Sequence, residues 1–277
     1  MTTAFVLSGG GSLGAVQVGM LMALEEGGIK PDLVVGTSVG ALNGAWVAGA
    51  KPITDLGQVW RSLRRQDVFP ARLLGGFLGF VGQSDHLVSA AGLRRTVAEH
   101  LSFERMEDAT IPFHVVATDV LSGEDVRLSS GSAVDAVLAS AAIPGVFPPV
   151  EIDGRSLMDG GAVNNTPISH AAALGADQVW VLTTGYACAL QEPPRSALGM
   201  GLHALSLAIE QRLALDALAY AQDVALWVVP PLCPISVAPT DFTQANDLIQ
   251  RAYKQTETWL KARSEERTRL GLHVGDR

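Results

Sequence analysis

The chain has little cysteine, and its two cysteines show no recognisable spacing. Cys188 and Cys233 are the only ones among 277 residues. Regularly spaced cysteines mark disulfide-rich secreted domains, and closely spaced pairs mark many zinc sites. No cluster of His, Cys, Asp and Glu has the spacing of a zinc or calcium site either. The sequence therefore predicts no disulfide framework, no metal, no cofactor and a reducing compartment.

Positive charge and long apolar runs are also scarce. Twenty lysines and arginines stand against 28 aspartates and glutamates, a net charge of −8. Phosphate backbones require a basic surface, so we expect no nucleic-acid partner. The start, MTTAFVLSGGG, has no basic region and too short an apolar run for a signal peptide. Gly, Ser and Asn interrupt the uncharged stretch 33–50, which favours strand, turn and helix over a membrane span. We expect a cytoplasmic protein.

Along the chain, short apolar runs typical of strands alternate with longer segments of helical periodicity. Short runs predict strands at 4–8, 32–36, 112–119, 124–129, 178–184 and 225–230, with a hairpin over 150–159 that turns at Asp153-Gly154. Helical patterns cover 12–26, 39–48, 54–64, 89–100, 133–142, 169–174, 198–222 and about 241–266, the last opening with Asp241 and Gln244 at capping-box spacing. This alternation predicts a mostly parallel sheet with helices on both faces. No linker divides the chain, so we predict one domain over 1–277 with a disordered tail at 267–277.

Three glycine-rich motifs follow predicted strands. The loop GGGSLG, Gly9 to Gly14, exposes backbone N–H groups at a helix N-terminus, where a phosphate or an oxyanion binds. Ser38 lies between Gly36 and Gly40, the spacing of a nucleophile elbow. Asp159 precedes two glycines at the end of the predicted hairpin. Because open α/β sheets place their sites at strand ends, the motifs together supply an oxyanion loop, a nucleophile and a carboxylate.

Four segments, in this order and spacing, resemble the conserved blocks of the patatin-like phospholipases: GGGSLGAVQVGML, GTSVGALNGA, ASAAIPGVFPPVEIDG and MDGGAVNNTP. The resemblance runs from about Phe5 to the predicted helix at Asp241. In that family a serine–aspartate dyad hydrolyses acyl esters of lipids on a three-layer α/β/α sandwich. The resemblance implies that Ser38 is the nucleophile, that Asp159 is its base, and that the oxyanion loop is Gly9, Gly10 and Gly11.

One position departs from the family pattern. Leu13 stands where the family commonly has a basic residue, which weakens any expected contact to a substrate phosphate. The expected substrate is therefore a lipid or another acyl ester rather than a phospholipid in particular. A free Asp is a poor base at neutral pH, so the mechanism requires burial to raise the pKa of Asp159.

A histidine triad is an alternative to the dyad. In α/β-hydrolases the order along the chain is Ser, Asp, His. Three histidines follow Asp159: His170, His203 and His273. The first two fall in predicted helices and the third in the predicted tail, so packing or surface roles are expected for them.

Two further readings use the same motifs differently. Gly9, Gly11 and Gly14 match the dinucleotide pattern G-x-G-x-x-G, but Asp32 begins the second strand, where that site requires an acid at the end. No Lys-Ser/Thr pair follows the loop, which argues against a P-loop. A non-catalytic lipid-binding or scaffold protein of the same fold stays open.

The stretch 60–87 combines four arginines with large apolar residues. Arg61, Arg64, Arg65 and Arg72 precede the apolar cluster Leu73, Leu74, Phe77, Leu78, Phe80 and Val81, and glycines lie among them. One interpretation is an interfacial lid that makes transient contact with a membrane surface through 60–87. The other is a loop whose apolar side chains cap the core.

Overall fold

The computed structural model describes residues 1–69, 86–185, 193, 197–233, 235 and 237–263. Every strand that the sequence predicts is present. The strands are β1 Thr3–Leu7, β2 Leu33–Thr37, β3 Phe113–Asp119, β4 Asp125–Leu128, β5 Val150–Ile152, β6 Arg155–Asp159, β7 Gln178–Leu182 and β8 Ala225–Val229. Hydrogen-bonded neighbours run β5-β6-β3-β2-β1-β7-β8, and β4 also pairs with β3. The pairs among β1, β2, β3, β7 and β8 are parallel, whereas the pairs with β4, β5 and β6 are antiparallel.

Helices cover both faces of this sheet. They are α1 Gly14–Glu26, α2 Val39–Ala48, α3 Ile53–Ser62, α4 Arg65–Val68, α5 Ala91–His100, α6 Ala133–Ser140, α7 Ile168–Ala173, α8 Ala197–Tyr220 and α9 Ala245–Arg263. Side chains alternate between faces along a strand. Phe5 and Leu7 of β1 therefore join the core under α1, α2 and α9, while Ala4 and Val6 join the core under α7 and α8. The predicted three-layer α/β/α sandwich is confirmed.

Strands β2 and β6 meet end to end along one edge of β3. Val116 pairs with Thr37 of β2 and with Arg127 of β4. The next residue, Ala117, pairs with Asp159 of β6 and with Val126 of β4. Since β4 occupies one edge of β3 at both positions, β2 and β6 share the other edge. The last residues of these two strands are thereby brought side by side.

Helix beginnings differ from the sequence predictions at several places, and two of these lie at the glycine loop and at Asp241. The helix predicted from residue 12 opens with a 3₁₀ turn, Gly11–Leu13, before α1 begins. The last helix begins at Ala245 rather than at Asp241. Asp241 Oδ1 instead accepts the N–H and the hydroxyl of Thr243, at 2.9 and 2.7 Å, which closes a local turn in place of a helix cap. Residues from 264 onward lie outside the described residues.

The cysteine prediction is also corrected. Cys233 is disulfide-bonded, whereas the sparse cysteines predicted no disulfide framework. A cysteine far from any other in the sequence carries no spacing pattern, so the bond at Cys233 could not be read from the sequence. Cys188 lies outside the described residues.

Only the flanks of the stretch 60–87 are described, because 70–85 lie outside the described residues. Trp60 is buried. Phe69 stacks on Phe147 with ring centroids 5.4 Å apart. In its described part the stretch therefore packs Trp60 and Phe69 against the rest of the protein, whereas Leu87 is 41% exposed. Among the helices that are described, none combines the length and the apolar character needed to cross a membrane.

Candidate active site

Ser38 lies on a strained turn between β2 and α2. Its φ of 54° and ψ of −124° are sparsely populated for a residue with a side chain. The two flanking glycines are required by close packing. A Cβ on Gly36 would lie 2.5 Å from the carbonyl oxygen of Gly40, and a Cβ on Gly40 would lie 2.1 Å from that of Leu7. The geometry is that of a nucleophile elbow.

Ser38 and Asp159 form a buried hydrogen-bonded pair. Ser38 Oγ donates to Asp159 Oδ2 at 2.6 Å, and Asp159 Oδ1 accepts the backbone N–H of Gly161 at 2.7 Å. Burial raises the pKa of Asp159 to about 6, although the hydrogen bonds from Ser38 and Gly161 oppose this rise. A carboxylate with this pKa is ionised at neutral pH and is still basic enough to accept a proton from the serine.

The pair meets at the junction of β2 and β6. All three motifs lie at the carboxyl ends of strands, as the sequence predicts. However, β6 is antiparallel to its neighbour β3, so it approaches the site from the opposite direction to β1 and β2. Asp159 reaches Ser38 because β6 enters the edge of β3 that β2 leaves vacant. A Cβ on Gly160 would lie 2.3 Å from the carbonyl oxygen of Val116, so the glycine after Asp159 permits this close approach.

Ser140, at the end of α6, closes the same junction. Its fully buried hydroxyl accepts the backbone N–H of Ser38 at 2.8 Å and donates to the carbonyl oxygen of Val116 at 2.5 Å. The hydroxyl thus bridges β3 and the elbow at the point where β2 turns away from the sheet. Sequence reasoning did not single out Ser140, which appears only within the segment ASAAIPG.

The glycine loop lies against Ser38. A Cβ on Gly9 would lie 3.1 Å from Ser38 Cβ and 2.4 Å from Asn165 Oδ1, so no side chain fits there. The resemblance implies that Gly9 donates to the oxyanion. In the structure its N–H instead donates to the carbonyl oxygen of Asn165 at 3.2 Å. Within the described residues, the N–H groups of Gly10 and Gly11 have no acceptor. These two remain the candidate donors.

An apolar cavity opens beside Ser38. Helices α2, α3, α5 and α6 line it with side chains that include Leu42, Trp46, Leu56, Val97 and Val137. The polar Asn43 on its wall is satisfied, because its amide donates to Gln17 Oε1 and accepts the indole N–H of Trp60, each at 2.9 Å. A cavity of this composition fits a hydrocarbon chain.

The histidines of the alternative triad do not join the pair within the described residues. His170 Nε2 lies 3.0 Å from Asp125 Oδ2, which also accepts the amide of Asn164 at 2.6 Å. Burial lowers the pKa of His170, against the opposing effect of Asp125. His203 is half-buried on α8, and 273 lies outside the described residues.

The acid of the alternative dinucleotide site is misplaced. Asp32 lies at the amino end of β2, where its Oδ2 accepts the backbone N–H of Thr3 at 2.7 Å. The glycine loop follows the carboxyl end of the adjacent parallel strand β1. Asp32 is therefore at the wrong end of the sheet to hold a ribose bound at the loop.

Comparisons with known proteins relate the chain to one family. A family model described as patatin-like phospholipase matches residues 5–172. Patatin-like phospholipase domain-containing protein 6 of Mus musculus is 32% identical over 186 residues, which cover 66% of this chain and 14% of that protein. Lysophospholipase nte1 of Aspergillus terreus is 30% identical over 192 residues, covering 65% and 12%. The chain therefore spans only a small part of these curated relatives.

One solved structure shares the fold. VipD from Legionella pneumophila superposes with a TM-score of 0.56 at 16% identity, covering 94% of this chain and 67% of that one. At this identity the likeness shows the fold alone.

Proposed function

Because the chain belongs to the patatin-like phospholipase family, we propose that it is a serine acyl hydrolase that cleaves carboxylic ester bonds of lipids. The observation that carries the proposal is the 2.6 Å hydrogen bond from Ser38 Oγ to the buried Asp159 Oδ2. A serine is a weak nucleophile unless a base lies within hydrogen-bond reach, and Asp159 fills that position. The apolar cavity beside Ser38 supports a hydrocarbon acyl group as the part of the substrate that is bound there.

In the first half of the reaction, Ser38 Oγ attacks the ester carbonyl carbon while its proton passes to Asp159. The carbonyl oxygen becomes an oxyanion and accepts the N–H groups of Gly10 and Gly11. The positive end of α2 also favours the alkoxide at its N-terminus. The bond from the carbonyl carbon to the alcohol oxygen then breaks, and the alcohol leaves with the proton from Asp159.

In the second half, water attacks the acyl group on Ser38 and gives its proton to Asp159. The tetrahedral intermediate collapses, the fatty acid leaves, and the proton returns to Ser38 Oγ. The chemistry uses only groups of this chain and water.

The test is labelling with a fluorophosphonate probe, which reacts only with an activated serine. We expect labelling at Ser38 in the wild type and none in Ser38→Ala. Asp159→Asn should lose nearly all esterase activity, and the double variant should be little worse than either single one, because residues that act as one unit are non-additive.

A non-catalytic protein of the same fold would give no labelling with any probe, although it would still bind lipid. A folded His170→Ala variant that loses activity about 1,000-fold would instead replace the dyad with a triad. Circular dichroism of each variant separates these outcomes from loss of folding.

We propose that the membrane contact expected of 60–87 is made, in the described part, by a basic groove, which is defined by Arg61, Arg64 and Arg65 and also has Asp241 in its wall. The groove shares Leu63, Phe69 and Phe242 with the apolar cavity. Arg61 donates to Asn246 Oδ1 at 2.9 Å, and none of the three arginines has an ion-pair partner in the part of the chain described. Anionic head groups at a membrane surface match this charge, and their acyl chains then lie next to the cavity.

A further inference from the structure

The glycine loop lies against a threonine that none of the sequence motifs contains. Strands β1 and β7 pair along their full lengths, and the N–H of Ser8 continues the pairing by donating to the carbonyl oxygen of Leu182 at 3.1 Å. The two segments therefore leave the sheet side by side, which brings Thr184 next to Gly9 and Gly10. A Cβ on Gly10 would overlap Thr184 Oγ1, so the loop and this side chain are in direct contact.

The hydroxyl of Thr184 holds the carbonyl group of Gly9. Thr184 Oγ1 donates to the carbonyl oxygen of Gly9 at 2.7 Å. The N–H of Thr184 donates to Ser8 Oγ at 3.1 Å, and Ser8 Oγ in turn donates to the same carbonyl oxygen at 3.3 Å. Thr184 is buried, so water competes little for these bonds. The Gly9 carbonyl is therefore fixed on the Thr184 side of the loop.

Fixing this carbonyl also fixes the N–H of Gly10. In a planar trans peptide the C=O and N–H groups point in opposite directions, so the Gly10 N–H points away from Thr184. Because glycines flank this peptide, it would rotate more freely than a peptide between residues with side chains if the bond from Thr184 were absent. An oxyanion donor requires one orientation, since its effect depends on dipoles that are already in place when the charge develops.

The next peptide has a different restraint. The carbonyl oxygen of Gly10 accepts the N–H of Leu13 at 3.3 Å, a bond within the 3₁₀ turn that precedes α1. This bond orients the peptide that carries the N–H of Gly11. Of the two candidate donors, Gly10 is thus the one whose orientation depends on Thr184.

We propose that Thr184 is a positioning residue of the hydrolase, whose hydroxyl holds the Gly9–Gly10 peptide so that the N–H of Gly10 faces the oxyanion. The inference rests on the proposed function, in which Gly10 and Gly11 are the oxyanion donors. Thr184 is not among the described residues that line the apolar cavity, so it acts through the loop. Loss of one oxyanion donor lowers kcat about 10²–10³-fold. Removal of the Thr184 hydroxyl loosens one donor without deleting it, so we expect a smaller effect.

The experiment measures hydrolysis of a short soluble ester by Thr184→Val and Thr184→Ser. Valine keeps the shape of the side chain and removes the hydroxyl, whereas serine keeps the hydroxyl and removes the methyl group. We expect kcat to fall about tenfold in Thr184→Val with KM little changed, and to stay within about threefold of the wild type in Thr184→Ser. If Thr184→Val does not fold, Thr184→Ser and Thr184→Ala, which differ only in the hydroxyl, give the same comparison.

Thr183→Val is the matched control. Thr183 is the neighbouring residue, it is equally buried, and its hydroxyl has no hydrogen-bond partner among the described residues. The same substitution there removes the same group without releasing the loop, so kcat should stay unchanged.

A trifluoromethyl ketone separates positioning of the donor from a general loss of structure. Ser38 Oγ adds to its carbonyl carbon, the serine proton passes to Asp159, and the carbonyl oxygen becomes an oxyanion. The corresponding trifluoromethyl alcohol binds without forming an oxyanion. In Thr184→Val the Ki of the ketone should rise by the same factor as kcat/KM falls, and the Ki of the alcohol should stay unchanged.

The inference is overturned by an unchanged kcat in Thr184→Val, by equal losses in Thr184→Val and Thr184→Ser or Thr183→Val, or by an equal rise in both Ki values. A wild type that hydrolyses no ester and resists fluorophosphonate overturns the proposed function instead.

Discussion

Asp159 gives the site two opposite responses to pH. Its pKa is raised to about 6 by burial, well above the value of about 4 in an unfolded chain. The folded protein therefore binds a proton more readily than the unfolded chain between these values. The free energy of unfolding therefore falls as the pH rises from about 4 to about 6, and it stays at the lower value above pH 6. Over the upper part of the same range Asp159 loses its proton and becomes able to act as the catalytic base.

Asp159→Asn should remove this loss of stability, because asparagine carries no charge at any pH. Two pKa units correspond to about 3 kcal/mol, so we expect the variant to be more stable than the wild type at pH 7 by up to about that amount. At pH 4 the difference should largely vanish. Urea unfolding at the two pH values measures it, and a difference independent of pH would contradict the assignment. Wild-type kcat/KM should rise through an apparent pKa of about 6.

The side chain of Ser140 holds the elbow by accepting the backbone N–H of Ser38. Ser140→Ala leaves the N–H of Ser38 and the carbonyl of Val116 without their shared partner, so the strained turn loses its restraint. We expect the rate of fluorophosphonate labelling and kcat to fall about tenfold or more, with little change in KM. Single-turnover labelling kinetics check this.

Ser132→Ala is the control on the same helix. Ser132 caps the other end of α6, where its hydroxyl accepts the N–H of Asp135 at 3.3 Å. The loss of a cap costs about 1 kcal/mol of stability. If Ser132→Ala slows labelling as much as Ser140→Ala does, the effect reports stability and Ser140 has no positioning role.

At the scale of the element, the hairpin β5–β6 positions the base. Its turn has Asp153 at φ 51° and Gly154 at φ 75°, the left-handed pair that joins two antiparallel strands tightly. Gly154→Val forces a β-branched residue into this region. We expect a loss of about 1–2 kcal/mol in stability and slower fluorophosphonate labelling, because β6 no longer holds Asp159 in register.

Gly175→Val tests whether strain alone explains such a result. Gly175 has φ 81° and open space around its Cβ position, as Gly154 does, but it lies between α7 and β7. The Gly175→Val variant should lose about as much stability as Gly154→Val, but its rate of fluorophosphonate labelling should stay that of the wild type. Equal slowing in both variants would mean that the hairpin register does not control the dyad.

The sequence predicted the elements well wherever local pattern decides them. The helix over 39–48 has those same bounds in the structure, because glycines and a strand delimit it. Local pattern could not show that β6 runs antiparallel to β3 and enters the edge that β2 leaves. Nor could it show that the Ser140 hydroxyl bridges β3 and the elbow, since this contact joins residues from distant segments. At Asp241 the side chain closes a local turn with Thr243, so it does not cap the last helix as the sequence predicted.

At the scale of the whole molecule, a local basic groove opposes a net charge of −8. Arg64→Glu with Arg65→Glu should weaken binding to anionic vesicles, most strongly at low salt, because exposed charges are screened over about 10 Å at 0.1 M. Vesicle co-sedimentation at two salt concentrations measures the effect. Activity on a short soluble ester should stay unchanged, since neither arginine lines the apolar cavity.

Lys30→Glu with Arg95→Glu makes the same change in net charge at two other exposed positions. If this control weakens vesicle binding equally, the attraction comes from overall charge and the groove has no special part. The Phe77 and Phe80 residues of the lid hypothesis lie outside the described residues, and their contact with lipid stays a prediction.

The end-to-end meeting of β2 and β6 has a consequence for how the protein acquires activity. Ser38 and Asp159 are 121 residues apart in the chain, and they touch only after β3 has paired with both strands. Contacts this distant in sequence pay a large loop-closure entropy and form late in folding. A partly folded chain with β1, α1 and β2 in place already has the serine but lacks its base. Reactivity at Ser38 therefore requires β3 to pair with both β2 and β6, and a chain in which β6 has not yet paired stays inert toward lipid.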